Sequence, residues 1–398
     1  MRHAMRVLIM TVLLTVTAGR ANGQGFSVPD QGARAAGQAE AFAAQADDAS
    51  AIYYNPAGLT LNTGSEILVG GYGIWTGTTF EGSQDESRRD FYALPHLYFA
   101  TDFGHPGLRV GLGINNHYGL GVRWSDDGPL SSVVTEAELT VLTFSPTLAV
   151  RLTDSLHAGA ALNLYRGDFH RESRVPLPGA TGRLETDADD ISFGATLGLL
   201  WQPRPEHSVA LTYRTPFKLE YQGTARLAAA GSTIARGDIR FDVQHPHVLT
   251  AAYAWRPTTS LKLELDLVWM DWTDLNEVSV HSRDPVLSTL PPERFEYGSS
   301  LSPRFGIEYQ LDPTWALRAG YGYFPGVAPG ATYSPLVPEL DTHLIATGIG
   351  WSRGGLHVDV AYQFITRHAR SISGSANSPD GRYDDETHAV MVSLGWTF

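Results

Sequence analysis

From Gly64 to the last residue, apolar and polar side chains alternate with a period of two. In the C-terminal stretch Val390, Val392, Leu394, Trp396 and Phe398 fall on one side, and Ala389, Met391, Ser393, Gly395 and Thr397 on the other. Leu261, Leu263, Leu265, Leu267 and Trp269 oppose Lys262, Glu264 and Asp266. Leu142, Phe144, Leu148, Val150 and Leu152 oppose Thr143, Ser145, Thr147, Ala149 and Arg151. Successive side chains of a strand point to opposite faces, so each run has one greasy and one polar side. Helix-period patterning is scarce; only Gly32 to Asp48 has the composition for short helices.

This pattern predicts strands near 64–78, 90–103, 107–121, 137–152, 156–170, 189–202, 206–222, 238–256, 259–281, 297–311, 314–324, 341–352, 356–371 and 387–398. Most of the runs have roughly 11 to 20 residues, against about five or six for soluble strands. A tilted membrane-crossing strand needs about 9–11. A soluble sandwich alternates in the same way, but small residues mixed with Arg, Lys, Asp and Glu on the polar face suit a wet lumen better than bulk water. Short turns at 103–106, 153–155, 203–205, 256–258, 312–313 and 353–355 alternate with long loops near 79–89, 122–136, 171–188, 223–237, 282–296, 325–340 and 372–386. Even strand number and alternating connections place both termini on the short-turn, periplasmic side. The expected fold is all-β: a 14-stranded antiparallel transmembrane β-barrel over 64–398.

Composition fits this picture. Aromatics are abundant, with 17 Tyr, 16 Phe and 9 Trp, and they favour strands. There is no cysteine, so stability must come from a core or a closed sheet rather than from disulfides. Residues 1–23 read as a secretory signal: Arg2 and Arg6, then the apolar run Val7 to Val16, then Ala21-Asn22-Gly23 as a small-x-small cleavage site. The formal charge is −13; without the three arginines of that leader it becomes −16. An acidic chain of this kind is not built for nucleic acid, which selects a basic surface. The expected location is the outer membrane of a bacterial cell, with membrane lipid around the barrel.

Residues 24–63 stand apart. They run from Gly25-Phe26-Ser27 through an Ala/Gly/Gln-rich stretch to Asp47-Asp48 and Asn55-Pro56-Ala57-Gly58-Leu59. A fourteen-stranded barrel encloses a lumen that must be filled or wet. A segment of small residues can pack against a crowded inner wall, so it is expected to sit inside the barrel. Pro56 fixes φ and biases Asn55 towards extended geometry, and Asn55 can bond nearby backbone. It either shapes a turn into the first strand or contacts a ligand.

The box Asn55-Pro56-Ala57-Gly58-Leu59, preceded by Asp47 to Tyr54, resembles the FadL/TodX family of outer-membrane transporters for long-chain fatty acids and other hydrophobic compounds. Gly25-Phe26 and Gly32-Ala33-Arg34-x-x-Gly37 fit the same N-terminal pattern. Asn116-His117-Tyr118-Gly119-Leu120 resembles the third-strand signature, with His117 as an insertion relative to it. Ala210 to Arg214 is similar to the seventh strand, and Trp269-x-x-Trp272-x-x-Leu275 to the ninth. The resemblance implies a barrel plugged by an N-terminal hatch, passive transport, and lateral exit through a kink in the third strand. On that basis Phe26, Asn55, Pro56 and Ala57 are the expected hatch and ligand-binding residues. Asn115, Asn116, His117, Tyr118 and Gly119 are the expected lateral opening. Glycine inside a strand commonly marks a bulge or close approach. Long-chain fatty acids are the first expected substrate, with aromatic or aliphatic hydrocarbons as the alternative.

A fatty acid needs a cation for its carboxylate, best an arginine fork. Arg151, Arg214, Arg304, Arg318, Lys218 and Lys262 are candidates on plausible lumen faces. Their alternative role is pairing with Glu264, Asp266, Glu308 or Asp359. Leu120, Val122, Trp124, Leu130, Val133, Val134 and the loop to Leu340 offer greasy extracellular surface. No nucleophile set, phosphate loop or His-Glu-x-x-His occurs, so neither an enzyme nor a cofactor is expected. His245-Pro246-His247 is a poor metal pair. A barrel lipase, a structural or adhesin barrel and a general porin are the rival readings. Phe398, ending an aromatic strand, is expected to engage the barrel-insertion machinery of a monomer.

Overall fold

The computed structural model describes residues 24–28, 30–81, 85–86 and 90–398. The leader, residues 1–23, lies outside the described residues. Fourteen wall strands follow the N-terminal segment in order: β1 Ser65–Glu81, β2 Asp90–Thr101, β3 Leu108–Arg123, β4 Glu136–Arg151, β5 Leu156–Leu177 and β6 Ala180–Arg204. Next come β7, in two pieces His207–Arg214 and Phe217–Ala229, and β8, in two pieces Ser232–His245 and His247–Trp255. β9 Leu261–Asp271, β10 Ser299–Gln310, β11 Trp315–Phe324, β12 Thr342–Arg353, β13 Leu356–Ile372 and β14 Gly381–Thr397 complete the wall. Pro216 and Pro246 divide β7 and β8 because proline has no N–H for the ladder. β1 pairs antiparallel with β14 from Glu66↔Thr397 to Glu81↔Arg382, which closes the barrel.

The faces follow the alternation. Leu265, Leu267, Val360, Tyr362, Val392, Leu394 and Trp396 are exposed on the outside, where lipid covers them, while Glu264, Asp266, Glu308 and Asp359 are buried on the inside. Three predicted boundaries are corrected. The stretches 171–188 and 223–237 are hairpins rather than loops: β5 and β6 stay paired to Leu177↔Ala180, and β7 and β8 to Ala229↔Ser232. Their inner faces carry Ala225, Leu227, Ala235 and Ile239 into the core, but their outer faces carry Arg183, Asp187, Arg226, Arg236 and Asp238, so the lipid-facing greasy side that marks a membrane strand is missing there. β9 ends at Asp271 rather than near 281, because Asp271 Oδ1 accepts from Thr273 N (3.2 Å) and Thr273 Oγ1 (2.8 Å) and turns the chain. Helical turns are more numerous than the patterning implied. Ala33–Ala36 (α1) is joined by Ala51–Tyr54 (α2) and a 3-10 turn Pro56–Leu61.

The N-terminal segment runs through the barrel interior, and nearly every residue from 30 to 60 is buried. Inward carboxylates grip its backbone. Glu264 accepts from Ala44 N (2.6 Å) and Gln45 N (3.0 Å), and Asp266 from Phe42 N and Ala43 N (both 3.2 Å). An ionic cluster extends this grip. Glu308 meets Arg34 (2.9 Å), Lys262 (2.8 Å) and Arg318 (2.7 Å), and Asp47 meets Arg34 and Lys262 (both 3.1 Å).

Candidate functional site

The ladder between β2 and β3 is incomplete. β3 pairs with β2 only from Thr101↔Val110 to Leu97↔Ile114. Beyond that point β2 stays with β1 up to Asp90, and β3 stays with β4 up to Arg123↔Glu136. Residues 90–96 and 115–123 therefore face each other without a ladder. Two local features favour this. Pro95 removes a donor from the β2 edge. His117 is an extra residue: Asn116 pairs with Leu142 and Tyr118 with Val141, so His117 forms a bulge that bends the strand. Asn115, Asn116, His117 and Tyr118 are all buried, four in a row, where a wall strand would bury every second residue. The strand has turned into the lumen.

The start of the chain occupies the edge thus freed. Ser27 forms a bridge with Tyr118, Val28 N donates to His117 O (3.0 Å), and Gly119 N donates to Phe26 O (2.9 Å). Gln31 Nε2 donates to Asn116 O (2.6 Å). Above this short pairing lies a cavity of about 270 Å³. Its floor is Gln24 to Val28, its roof Val337 to Leu340, and its inner side includes Tyr72, Phe324, Leu344 and Ile365. Gly119 to Arg123, Tyr92 and Leu94 line it at the gap, and so do Glu138 and Thr140, which belong to the outer face of β4. The cavity thus touches both sides of the wall.

A closed fourteen-stranded barrel with a third-strand gap narrows the comparison to channels of one design. Residues 14–398 match the family described as outer membrane protein transport protein (OMPP1/FadL/TodX). The chain belongs to this family. A long-chain fatty acid transport protein of Salmonella typhi is 20% identical, over 98% of this chain and 97% of the relative. A FadL homologue of Pseudomonas aeruginosa superposes with a TM-score of 0.86 at 16% identity, covering 94% of this chain and 100% of that one. The toluene transporter TodX of P. putida gives 0.72 at 19%, with 88% and 94% coverage. The molecule is an outer-membrane transport channel for hydrophobic compounds, not an enzyme.

Within the transporter, the residues singled out from sequence fall in three places. Phe26 and Gly119 line the cavity. Asn115 to Tyr118 form the inward bend beside it. Asn55, Pro56 and Ala57 lie away from the cavity, against the inner wall. There Asn55 Oδ1 caps the 3-10 turn by accepting from Ala57 N (3.1 Å), and Asn55 Nδ2 donates to Ala43 O (2.9 Å) and Leu199 O (3.3 Å). The box packs on Gly159 and Gly198, where a Cβ would run into Pro56 and Asn55.

The candidate cations also separate. Arg318 pairs with Glu308 and Asp359, and Lys262 with Asp47 and Glu308. Lys218 faces away from the lumen and pairs with Glu220 and Asp242, which corrects its assignment to the inner face. Arg151 sits exposed at the end of β4. Arg214 lies 4.4 Å over the Tyr53 ring and donates to Tyr53 O (3.2 Å); Arg304 lies 5.1 Å over Phe324. Neither forms an ion pair with a described residue, and both line a second, small cavity beneath Ser27. The two arginines that line the cavity at the gap are neutralised, Arg123 by Glu136 and Glu138 and Arg367 by Asp385.

The greasy loop residues pack on one another. Trp124 Nε1 donates to Pro335 O (3.1 Å), and Leu130 and Val134 join Val327, Tyr333, Leu336 and Leu340 in one cluster that caps the cavity. Sequence reasoning missed Pro95, Trp272 and His245. Pro95 was legible as an edge signal inside a predicted strand. Trp272 stood in the ninth-strand motif and His245 in the poor metal pair, but neither pattern pointed to a shared cage.

Proposed function

We propose that this transporter takes up small, neutral hydrophobic molecules from the extracellular side and releases them sideways between β2 and β3. The observation that carries this reading is the single cavity lined both by Phe26 and by Glu138 and Thr140 of the outer wall face. Residues 24–63 act as the hatch, clamped below while the ligand turns aside above it. Asn115 to Gly119 form the lateral opening, Phe26 closes the floor, and Asn55 to Ala57 serve as a structural clamp of the hatch. A volume of about 270 Å³ lies just below the range of about 300–1,000 Å³ typical of drug-sized ligands. Both arginines lining it are held by carboxylates. These two facts favour a monoaromatic hydrocarbon over a long acyl chain, reversing the preference drawn from sequence.

The fatty-acid reading keeps one observation in its favour: Arg214, which forms no ion pair with a described residue, sits beneath Ser27 in a cavity that a displaced N-terminal strand would open. Phe398 is the proposed contact for the barrel-insertion machinery, and the barrel acts as a monomer. Uptake of labelled toluene and labelled oleate by cells lacking their own transporter tests the proposal, with Gly119→Phe as the probe of the gap. A Cβ on Gly119 already stands 3.3 Å from Val28 Cγ2, so the larger ring fills the opening. Toluene uptake that is lost in a folded Gly119→Phe barrel supports the lateral route. Undiminished uptake in that variant sinks it, and oleate uptake alone moves the substrate to the fatty-acid branch.

A further inference from the structure

Phe26 projects into a cage of aromatic side chains brought from distant parts of the wall. Its ring centroid lies 4.7 Å from Trp272, just past β9, 5.5 Å from His245 of β8 and 6.2 Å from Tyr118 of β3. Phe217 of β7 stacks on His245 at 4.1 Å and 14°. Tyr118, His245 and Trp272 are also close to one another, at 4.8, 6.0 and 6.3 Å. Each of the three is 1% exposed.

A cage built for a hydrocarbon ring alone would need no polar atoms. This one holds two that are buried without a partner, His245 Nε2 and Trp272 Nε1, while the Tyr118 hydroxyl faces Arg214. Buried polar groups are normally paired, because leaving one unmade forfeits its hydration. Their chemistry is complementary. His245 Nδ1 lies 3.3 Å from Val243 O; that contact puts the ring hydrogen on Nδ1 and leaves Nε2 as an acceptor. Trp272 Nε1–H is a donor only. A hydroxyl group serves both at once, as acceptor from the one and donor to the other.

The resident ring is held lightly. Phe26 belongs to a strand fixed to β3 by two backbone hydrogen bonds, Val28 N to His117 O and Gly119 N to Phe26 O. Before it, Gly25 adopts φ +61, and a Cβ there would stand 2.7 Å from the Trp272 indole.

We propose that the Phe26 cage is a ring-binding subsite for hydroxylated monoaromatics of the phenol class. The ligand ring takes the place of Phe26. Its oxygen accepts from Trp272 Nε1 and its hydrogen goes to His245 Nε2, with the Tyr118 hydroxyl alongside. This rests on the uptake reading above and adds a specificity that the reading does not contain: a plain hydrocarbon fills the cage but leaves its polar atoms unpaired.

The test is equilibrium binding of 4-methylphenol and of toluene to the purified full-length barrel in detergent, comparing the native chain with Trp272→Phe, His245→Phe and Phe26→Ala. Trp272→Phe and His245→Phe keep a ring and delete the polar atom. Each is expected to lower the affinity for 4-methylphenol relative to toluene by roughly five- to tenfold, the worth of one neutral hydrogen bond. Phe26→Ala removes the competing ring and should tighten both ligands. An unchanged ratio in both ring-preserving variants, with toluene still bound, overturns the subsite while leaving the uptake reading intact. So does weaker binding of both rings by Phe26→Ala. Failure of both rings to bind the folded native barrel overturns the subsite and the monoaromatic reading together.

Discussion

Glu308 is the hub of the contact between the hatch and the wall, and Glu308→Gln tests whether that contact holds the hatch in place. The carboxylate is 4% exposed and meets three cations: Arg34 of the hatch at 2.9 Å, Lys262 of β9 at 2.8 Å and Arg318 of β11 at 2.7 Å. Deleting one partner of a buried ion pair costs about 3–5 kcal/mol. Here the lower end applies, for two reasons. Each cation keeps another carboxylate: Arg34 and Lys262 keep Asp47, and Arg318 keeps Asp359. A polar cavity of about 480 Å³ adjoins the cluster and lets water in. A loss of about 3 kcal/mol corresponds to roughly a hundredfold rise in the population of the loosened hatch. Hydrogen exchange of the amides between Arg34 and Asp47, in detergent at fixed pH, reads this population directly. Those amides should lose about a hundredfold in protection while the wall strands keep theirs. Unchanged exchange in a folded Glu308→Gln barrel would show that the hatch is held by its packing and by Glu264 and Asp266, and would refute the electrostatic account.

Two further outcomes follow from the geometry. Glu339, in the loop that roofs the cavity, is pushed by burial up to about 8 against the opposing pull of Val327 N and of Arg367 and Arg370. A carboxyl raised in the folded state favours the protonated form, so the roof is fully stable below the ordinary carboxyl range near 4.5, weakens as pH climbs from there, and has lost this contribution above about 8. Hydrogen exchange of Val327 to Leu340 should therefore quicken between pH 5 and 9, as orders of magnitude for that window, beyond the intrinsic dependence, and Glu339→Gln should flatten the excess. Gly198→Ala sets a methyl against Asn55 Oδ1 and Pro56. Overpacking of this kind costs about 1–3 kcal/mol, so the variant's urea midpoint should fall, while Gly354→Ala, in open space, reports only the strain of its own turn.

How much of this could be read from the chain depended on whether one strand carried the signal. Val390 to Phe398 alternates within itself, and the lipid-facing side it implies is the side found exposed. The strand number followed in the same way. Pairing between distant residues was not legible. Nothing in the composition of 223–237 distinguishes a loop from the water-exposed hairpin that closes at Ala230-Gly231. Lys218 was placed on a plausible lumen face, but across Pro216 the buried side passes from Thr212 and Arg214 to Phe217, Leu219 and Tyr221, which leaves it outside. His117 was legible as one residue too many; only its opposition to Asn116↔Leu142 and Tyr118↔Val141 makes that surplus a bulge. The cage around Phe26 needs β3, β7, β8 and the turn after β9 at once, and no local pattern announces four elements converging.

The strength of attachment along the N-terminal segment bears on the direction of transport. Between Arg34 and Ala57 the segment is held by the Arg34–Glu308 ion pair, by backbone bonds to the buried carboxyls of Glu264 and Asp266, and by the Asn55 contacts with β6. Bonds to ionised groups are about twice as strong as neutral ones. Between Phe26 and Val28 the holding bonds are neutral: two backbone bonds to the edge of β3 and those that Val28 O accepts from Gln31 and Tyr53. A ligand arriving from above meets the weaker stretch first. Displacing Phe26 to Val28 opens the gap between β2 and β3, whereas a route straight to the periplasm requires the ionic clamp to release as well. On the proposed sideways route fewer bonds have to break than on a straight one, and the solute enters lipid rather than water. In that proposal the clamp stays closed while the loose end yields to a ligand that replaces the ring it removes.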